Sequence, residues 1–306
     1  MRIRILGSAA GGGFPQINCK CRNCTAQRSG QPGYTARTQS SVALSANGRD
    51  WVLLNASPDL RQQVAATPEL APATEGPARD SPIKAVILTN GDVDHVAGLL
   101  SLREGFAFSL YASQRVLETL AANSIFNVLN EQLVPRVGLE IGQPAELAGL
   151  GLKVEAFAVP GKIALYLEDA AASPAYGTHD GDTIGLEITA SATGASFFYI
   201  PGCASVDANM ATRLRGARLV LFDGTLYRDD EMIALGLSNK TGKRMGHISM
   251  SGADGSIAAF RDLDVQRRVF VHMNNSNPVL FDASAERAEV ESAGWDIAFD
   301  GMEINL

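Results

Sequence analysis

The stretch Ala85-Val-Ile-Leu-Thr-Asn-Gly-Asp-Val-Asp-His-Val-Ala-Gly-Leu-Leu100 constrains this chain more than any other. Val86–Leu88 is a short apolar run and reads as a buried strand. A polar loop containing Gly91 interrupts it, after which Val96, Leu99, Leu100 and Leu102 recur at helical spacing. A strand passing through a short loop into a helix is the building unit of an α/β fold. The loop carries Asp92, Asp94 and His95, all metal-ligating types, where rigid backbone aims side chains into a crevice. Taken alone, the loop has a plainer reading: an aspartate caps the helix and His95 packs against it.

The chain has 306 residues, 46% hydrophobic and 19% charged, enough to build one large domain over residues 1–306. A net charge of −7 argues against nucleic acid or an anionic membrane surface as a partner. No apolar run approaches spanning length, so no membrane insertion is expected. The opening Met1-Arg-Ile-Arg-Ile-Leu-Gly reads as a strand rather than a signal peptide, which makes a cytoplasmic location the expectation.

Three of the four cysteines fall in Cys19-Lys-Cys21-Arg-Asn-Cys24. That spacing is too tight for pairwise disulfides, and a reducing compartment disfavours them. Three thiolates converging on one point suit Zn²⁺, with a fourth ligand, expected to be a histidine, from elsewhere in the chain. The cluster reads as a small insertion over residues 18–25.

Strands are expected at 2–6, 38–44, 51–55, 110–112, 153–157, 163–167, 183–189, 196–200, 219–222 and 268–272, with a last extended stretch over 297–304. Helices are expected at 113–120, 125–129, 252–260 and 286–293. Strand runs in both halves with helices between them predict two mixed sheets packed face to face with helices outside, an αββα four-layer sandwich. Gly7-Ser-Ala-Ala-Gly-Gly-Gly13 matches neither phosphate-binding glycine motif; its glycines permit tight turns or close backbone approach to a site.

The histidines are His95, His179, His247 and His272. His95 and His272 each follow an apolar strand, and with Asp94 they form the two-imidazole, one-carboxylate set of non-haem Fe(II) oxygenases. His179 reads as a surface loop residue.

These ordered elements resemble the metallo-β-lactamase superfamily, whose loop motif is His-x-His-x-Asp-His. Here it stands as Asn90-Gly-Asp92-Val-Asp94-His95, with Asn90 and Asp92 in place of the leading histidines. The expected middle histidine falls in Ala158-Val-Pro-Gly-Lys162, which has none, and the bridging carboxylate falls at Pro201-Gly-Cys203. The residues lost are those of the first metal; Asp94, His95 and His272 are those of the second. The resemblance therefore implies one metal with open positions. At a finer level, Gly7–Gln16, Asn18–Cys24, Ala36-Arg-Thr-Gln-Ser-Ser41, Asn55-Ala-Ser-Pro-Asp59, Gly98–Gly105 and Phe299-Asp-Gly-Met-Glu303 resemble the coenzyme PQQ (pyrroloquinoline quinone) synthesis protein B family.

That resemblance implies Fe(II)- and O₂-dependent hydroxylation of the tyrosine ring in a crosslinked Glu–Tyr precursor, alongside other PQQ pathway proteins. Zn²⁺, whose d¹⁰ shell is redox-inert, or another divalent ion can also fill such a site. A phosphodiesterase relative completes its cysteine zinc site with a histidine that maps onto His247, giving Cys19, Cys21, Cys24 and His247 as the expected structural zinc ligands. Asp92 is expected as a fourth ligand, a base for the phenol, or a helix cap. Arg37 and Lys240 are candidates for the substrate carboxylates, and Asn274, Asn275 and Ser276 for lining the pocket. Cys203 and Asp223, at strand ends, are expected to lie behind the metal ligands. A carrier of PQQ or its precursor towards the periplasm and a single-metal hydrolase are the rival functions. Oligomeric state stays open, with a homodimer among the expected assemblies.

Overall fold

The computed structural model describes residues 1–167 and 179–306. Six strands come first: β1 (Arg2–Gly7), β2 (Ser41–Ser45), β3 (Trp51–Leu54), β4 (Ile83–Ile87), β5 (Ser109–Ser113) and β6 (Arg136–Leu139). Seven more follow: β7 (Pro144–Leu147), β8 (Leu152–Ala158), β9 (Ile184–Ala190), β10 (Ser196–Ile200), β11 (Val220–Asp223), β12 (Arg268–Val271) and β13 (Trp295–Ile297). The chain then returns to the first sheet as β14 (Glu303–Asn305). Two seven-stranded sheets result, ordered β14-β1-β2-β3-β4-β5-β6 and β13-β12-β11-β10-β9-β8-β7.

Each sheet is antiparallel in one half and parallel in the other. The parallel half runs from β3 through β6 in the first sheet and from β10 through β13 in the second. Parallel strands are covered on both faces and so read as unbroken apolar runs, as Val86–Leu88 and Leu219–Phe222 do. Their side chains alternate between two cores. Val52, Leu54, Ala85 and Ile87 point into the layer between the sheets. Trp51, Leu53, Val86 and Leu88 point the other way, onto helical segments carrying Leu60, Leu99, Val116 and Leu120. The helix Gln114–Ala122 starts where Ser113 Oγ accepts the Val116 N–H at 3.2 Å. The expected four-layer arrangement is present.

Several local expectations differ from the structure: the helix expected over 252–260 is only Ser256–Ala259, and that over 125–129 is the 3₁₀ stretch Ser124–Val128. Residues 163–167 hold no strand; Leu165–Leu167 is a 3₁₀ turn after Pro160-Gly161. The strands β6 and β7 went unexpected because they are short sheet-edge strands, largely exposed, with no alternating apolar pattern. The extended stretch over 297–304 splits between the two sheets. Asp300 makes the turn between them, its carboxylate accepting from Ser8 N and Oγ (3.0 and 2.8 Å) and Thr38 N and Oγ1 (2.6 and 2.7 Å). Among the described residues no helix is long and apolar enough to cross a membrane.

Candidate metal centre

Parallel strands place all their C-terminal ends at one edge of a sheet, where connecting loops form crevices. The loops after β4, β11 and β12 meet there across the two sheets. The proof is a contact: His272 Nε2, just past β12, lies 3.1 Å from Asp94 Oδ2, just past β4. His95 Nε2 lies 3.8 Å from the same oxygen. Asp94, His95 and His272 thus bring three ligand atoms within 4.8 Å of one another.

The β4 loop is held from below. Asn55, itself at φ 62°, donates to Thr89 Oγ1 and accepts the Thr89 N–H, each at 2.9 Å. Ala56 N donates to His95 O at 2.7 Å, and Gly98 N to Ala56 O at 2.9 Å. Gly98 has no alternative, because a Cβ there would sit 2.1 Å from Ser57 O. From above, the glycine-rich loop pairs with the chain after His272: Ala10 N donates to Met273 O at 2.7 Å and Met273 N to Ser8 O at 2.9 Å. That pairing lays Gly11 against the Asp94 carboxylate, where a Cβ would lie 3.4 Å from Cγ.

Both imidazoles have their outer nitrogen committed. His95 Nδ1 donates to Asn90 Oδ1 at 2.8 Å, and His272 Nδ1 donates to Thr225 Oγ1 at 2.8 Å. Each Nε2 lone pair is therefore turned toward Asp94, the arrangement that orients metal-bound histidines. His95 Nε2 is buried and has no hydrogen-bond partner. Burial lowers the His95 pKa to about 4, against the opposing pull of Asp94, so the ring is a neutral donor at pH 7. Burial also works against charge on His272, but the Asp94 hydrogen bond and the charges of Asp94, Asp223 and Asp92 outweigh it and raise its pKa. Burial likewise opposes charge on Asp94, yet His95 and His272 hold its carboxyl well below the usual carboxylate range. Two imidazoles and a carboxylate converging on one spot are a donor set that favours a cation, and an orphaned buried nitrogen needs a partner. The residues fit a divalent ion.

His247 stands here too, and not with the cysteines. Its Nδ1 lies 2.7 Å from Asp223 Oδ2, and its ring stacks on His272 at 5.3 Å. Asp223 is fully buried and accepts four hydrogen bonds: from His247, Cys203 N, Thr225 N and Thr225 Oγ1. The expectation of His247 as a zinc ligand beside Cys19, Cys21 and Cys24 is thereby corrected. Position in the sequence placed it there, whereas the β11 loop carrying Asp223 draws it into the cavity. Among the described residues no histidine or acidic residue joins the three cysteines.

Other expectations divide in the same way. Asp92 caps no helix with its side chain; Lys162 Nζ reaches its two oxygens at 3.2 and 3.3 Å. Lys162, Lys240 and Asn274 line the same cavity of about 460 Å³ as the three ligand residues, a volume suited to a small molecule. Arg37 does not line it. It is 6% exposed, donates to Ser8 Oγ and Ala298 O, and burial lowers its pKa to about 10, so it ties strands together instead of reading a substrate. Asn275 faces the cysteines, and Ser276 donates to Glu231 at 2.5 Å inside the protein. The Cys203 thiol donates to Ser205 O at 3.0 Å and is pushed up by burial, while its backbone N–H serves Asp223. His179 is exposed. Sequence reading missed Asn90, Lys162 and Thr225. Of these, Thr225 carried a signal, as a hydroxyl two residues past a strand-end aspartate.

The chain matches the family described as beta-lactamase superfamily domain over residues 50–273. A protein of Rhodopseudomonas palustris (strain BisB5) named coenzyme PQQ synthesis protein B is 56% identical over 311 residues, with 100% of both chains covered. Its namesake in Bradyrhizobium diazoefficiens is 54% identical over 312 residues, again covering 100% of both. The crystal structure of Zn(2+)-bound PqqB from Methylobacterium extorquens superposes with a TM-score of 0.95 at 49% identity over 100% of both chains. The two-sheet architecture is thus the metallo-β-lactamase fold.

Proposed function

The chain belongs to the coenzyme PQQ synthesis protein B family, within the β-lactamase superfamily, and on that premise we propose that it hydroxylates a tyrosine ring during PQQ synthesis. In this reading the substrate is the precursor in which Glu and Tyr are already crosslinked. Asp94, His95 and His272 hold Fe(II), and three cysteines hold a structural Zn²⁺. The observation that carries the reading is the buried, unpartnered His95 Nε2 beside Asp94 and His272, opening on a cavity that also presents lysines. Bound Fe(II), with O₂ as cosubstrate, supplies the redox chemistry that Zn²⁺ lacks.

The protein's own residues bind and orient. Lys162 and Lys240 offer ammonium groups to the precursor's carboxylates, charge-assisted contacts worth more than neutral hydrogen bonds. Asn274, whose amide donates to Ser276 Oγ at 2.6 Å, shapes the wall between them and His272. His247, its Nδ1 N–H given to Asp223, presents Nε2 as the acceptor for the phenolic proton. Asn90 and Thr225 fix which nitrogen of each ligand ring faces the metal.

The test is anaerobic loading with Fe(II), addition of the crosslinked dipeptide, and measurement of O₂ uptake and product mass. A gain of oxygen mass, lost in Asp94→Ala and with Zn²⁺ in place of iron, is the expected result. Tight binding with neither mass change nor O₂ uptake would mean a carrier. Turnover with Zn²⁺ alone would mean a hydrolase.

A further inference from the structure

Asn274 is 9% exposed and sits just past His272, on the wall of the cavity. Both protons of its side-chain amide are committed. Nδ2 donates to Ser276 Oγ at 2.6 Å and to Met232 Sδ at 3.1 Å, while the backbone N–H donates to Thr225 O at 2.9 Å. Its Oδ1 has no hydrogen-bond partner among the described residues. The two ends of an asparagine amide are nearly the same size, so the hydrogen-bond network decides which end faces the cavity. Here Ser276 decides. A hydroxyl has one proton, and Ser276 gives its proton to Glu231 Oε1 at 2.5 Å. Glu231 Oε2 accepts the Tyr227 N–H at 2.9 Å, so both carboxylate oxygens act as acceptors. Ser276 Oγ then has only lone pairs to offer Asn274, which must answer with Nδ2. Oδ1 is left to the cavity.

The other polar groups of the cavity leave one task unfilled. Lys162 and Lys240 are donors only, suited to carboxylates. Asp94, His95 and His272 converge on the ion position, Asp92 holds Lys162, and His247 Nε2 serves the phenol in the reading above. An amino acid carries an ammonium group beside its carboxylate, and that group needs an acceptor. We propose that Asn274 Oδ1 receives an α-ammonium of the substrate, and that Ser276 and Glu231 are positioning residues that keep the amide turned for this contact. The inference rests on the reading that the substrate is the crosslinked Glu–Tyr precursor, and it adds that the precursor arrives with a free amine at this end of the cavity.

The test is calorimetric binding to the full chain loaded with redox-inert Zn²⁺. The ligands are the crosslinked dipeptide and desamino analogues in which hydrogen replaces an α-amine. The unaltered protein should favour the dipeptide over one of these analogues by at least about tenfold, the share of one hydrogen bond to a charged group. Asn274→Leu should remove that preference. Glu231→Gln is the sharper check, because it reverses the relay while keeping its shape. The Tyr227 N–H would hold the oxygen of the new amide, whose NH₂ would donate to Ser276 Oγ. Ser276 would then give its proton to Asn274, and the amide would turn Nδ2 to the cavity. The preference should vanish or invert, while that desamino analogue binds at least as well as before. No preference in the unaltered protein, the same preference in all three proteins, or an equal weakening of every ligand would overturn the assignment. Failure of the unaltered protein to bind the dipeptide at all would overturn the substrate reading along with it. Should Asn274→Leu fail to fold, Glu231→Gln still decides, since Glu231 does not line the cavity.

Discussion

Replacing Lys162 should let a second ion into the site proposed above to hold one. The Lys162 ammonium lies 3.2 Å from the nearer Asp92 oxygen, with the two side chains 20% and 24% exposed. A dication on that carboxylate would sit about 4 Å from the ammonium. Two charges against one at that distance repel by roughly 8 kcal/mol at an effective dielectric of about 20, and by roughly 2 kcal/mol in bulk water. Even the lower figure is about thirtyfold in affinity. Lys162→Met removes the charge alone and should raise second-ion affinity by at least that factor. Lys162→His adds an imidazole ligand and should raise it further. The assay is calorimetric titration with Zn²⁺ after the cysteine site has been filled, repeated at higher salt, which should narrow the difference. Two active-site ions in the unaltered protein, or no second ion in either variant, would refute the reasoning.

Four further outcomes follow from the geometry. His272→Ala should abolish the active-site ion yet leave the cysteine ion in place, as metal analysis of the purified variant would reveal. Cys21→Ser should lower thermal stability, because a structural zinc contributes directly to folding; full stability without zinc would count against a structural role. Arg37→Met should lower the melting temperature while leaving precursor affinity unchanged, since the guanidinium faces Ser8 and Ala298 rather than the cavity. Glu231 concerns pH: burial raises its carboxyl, with Ser276 Oγ and Tyr227 N donating to it in partial compensation. The folded chain then holds this proton more tightly than the unfolded chain. Its stabilising share is complete below the unfolded value of about 4.3 and is lost as pH rises through the folded value. Glu231→Gln should flatten that slope in urea unfolding at stepped pH, and an unchanged slope would contradict it.

The sequence made the Asp94, His95 and His272 trio legible because each follows an apolar strand, and strands that are parallel end at the same edge. The layer architecture was legible for a similar reason: strands covered on both faces leave unbroken apolar runs. What distance along the chain cannot convey is which loops converge. His247 has no strand before it, so only the buried Asp223 reveals where it belongs. Arg37 and Asn275 illustrate a second limit, since a charged or amide side chain near a motif looks the same whether it faces a cavity or fills the interior. Lys162 illustrates a third. The absence of a histidine from residues 158–162 was visible, but the pairing of Lys162 with Asp92 depends on two loops 70 residues apart.

His272 occupies the left-handed region of backbone space, at φ 61°. Side chains rarely sit there, with asparagine, aspartate and histidine the most tolerant after glycine. The backbone therefore narrows the alphabet at this position before chemistry is consulted. Of the residues that commonly bind metals, cysteine and glutamate face a conformational handicap here, while aspartate does not. A saturation library at residue 272 should accordingly separate two filters. Glycine and asparagine would pass the folding filter and fail the metal filter, and aspartate would pass both in part. Drift at this residue is confined to a path that few substitutions can follow.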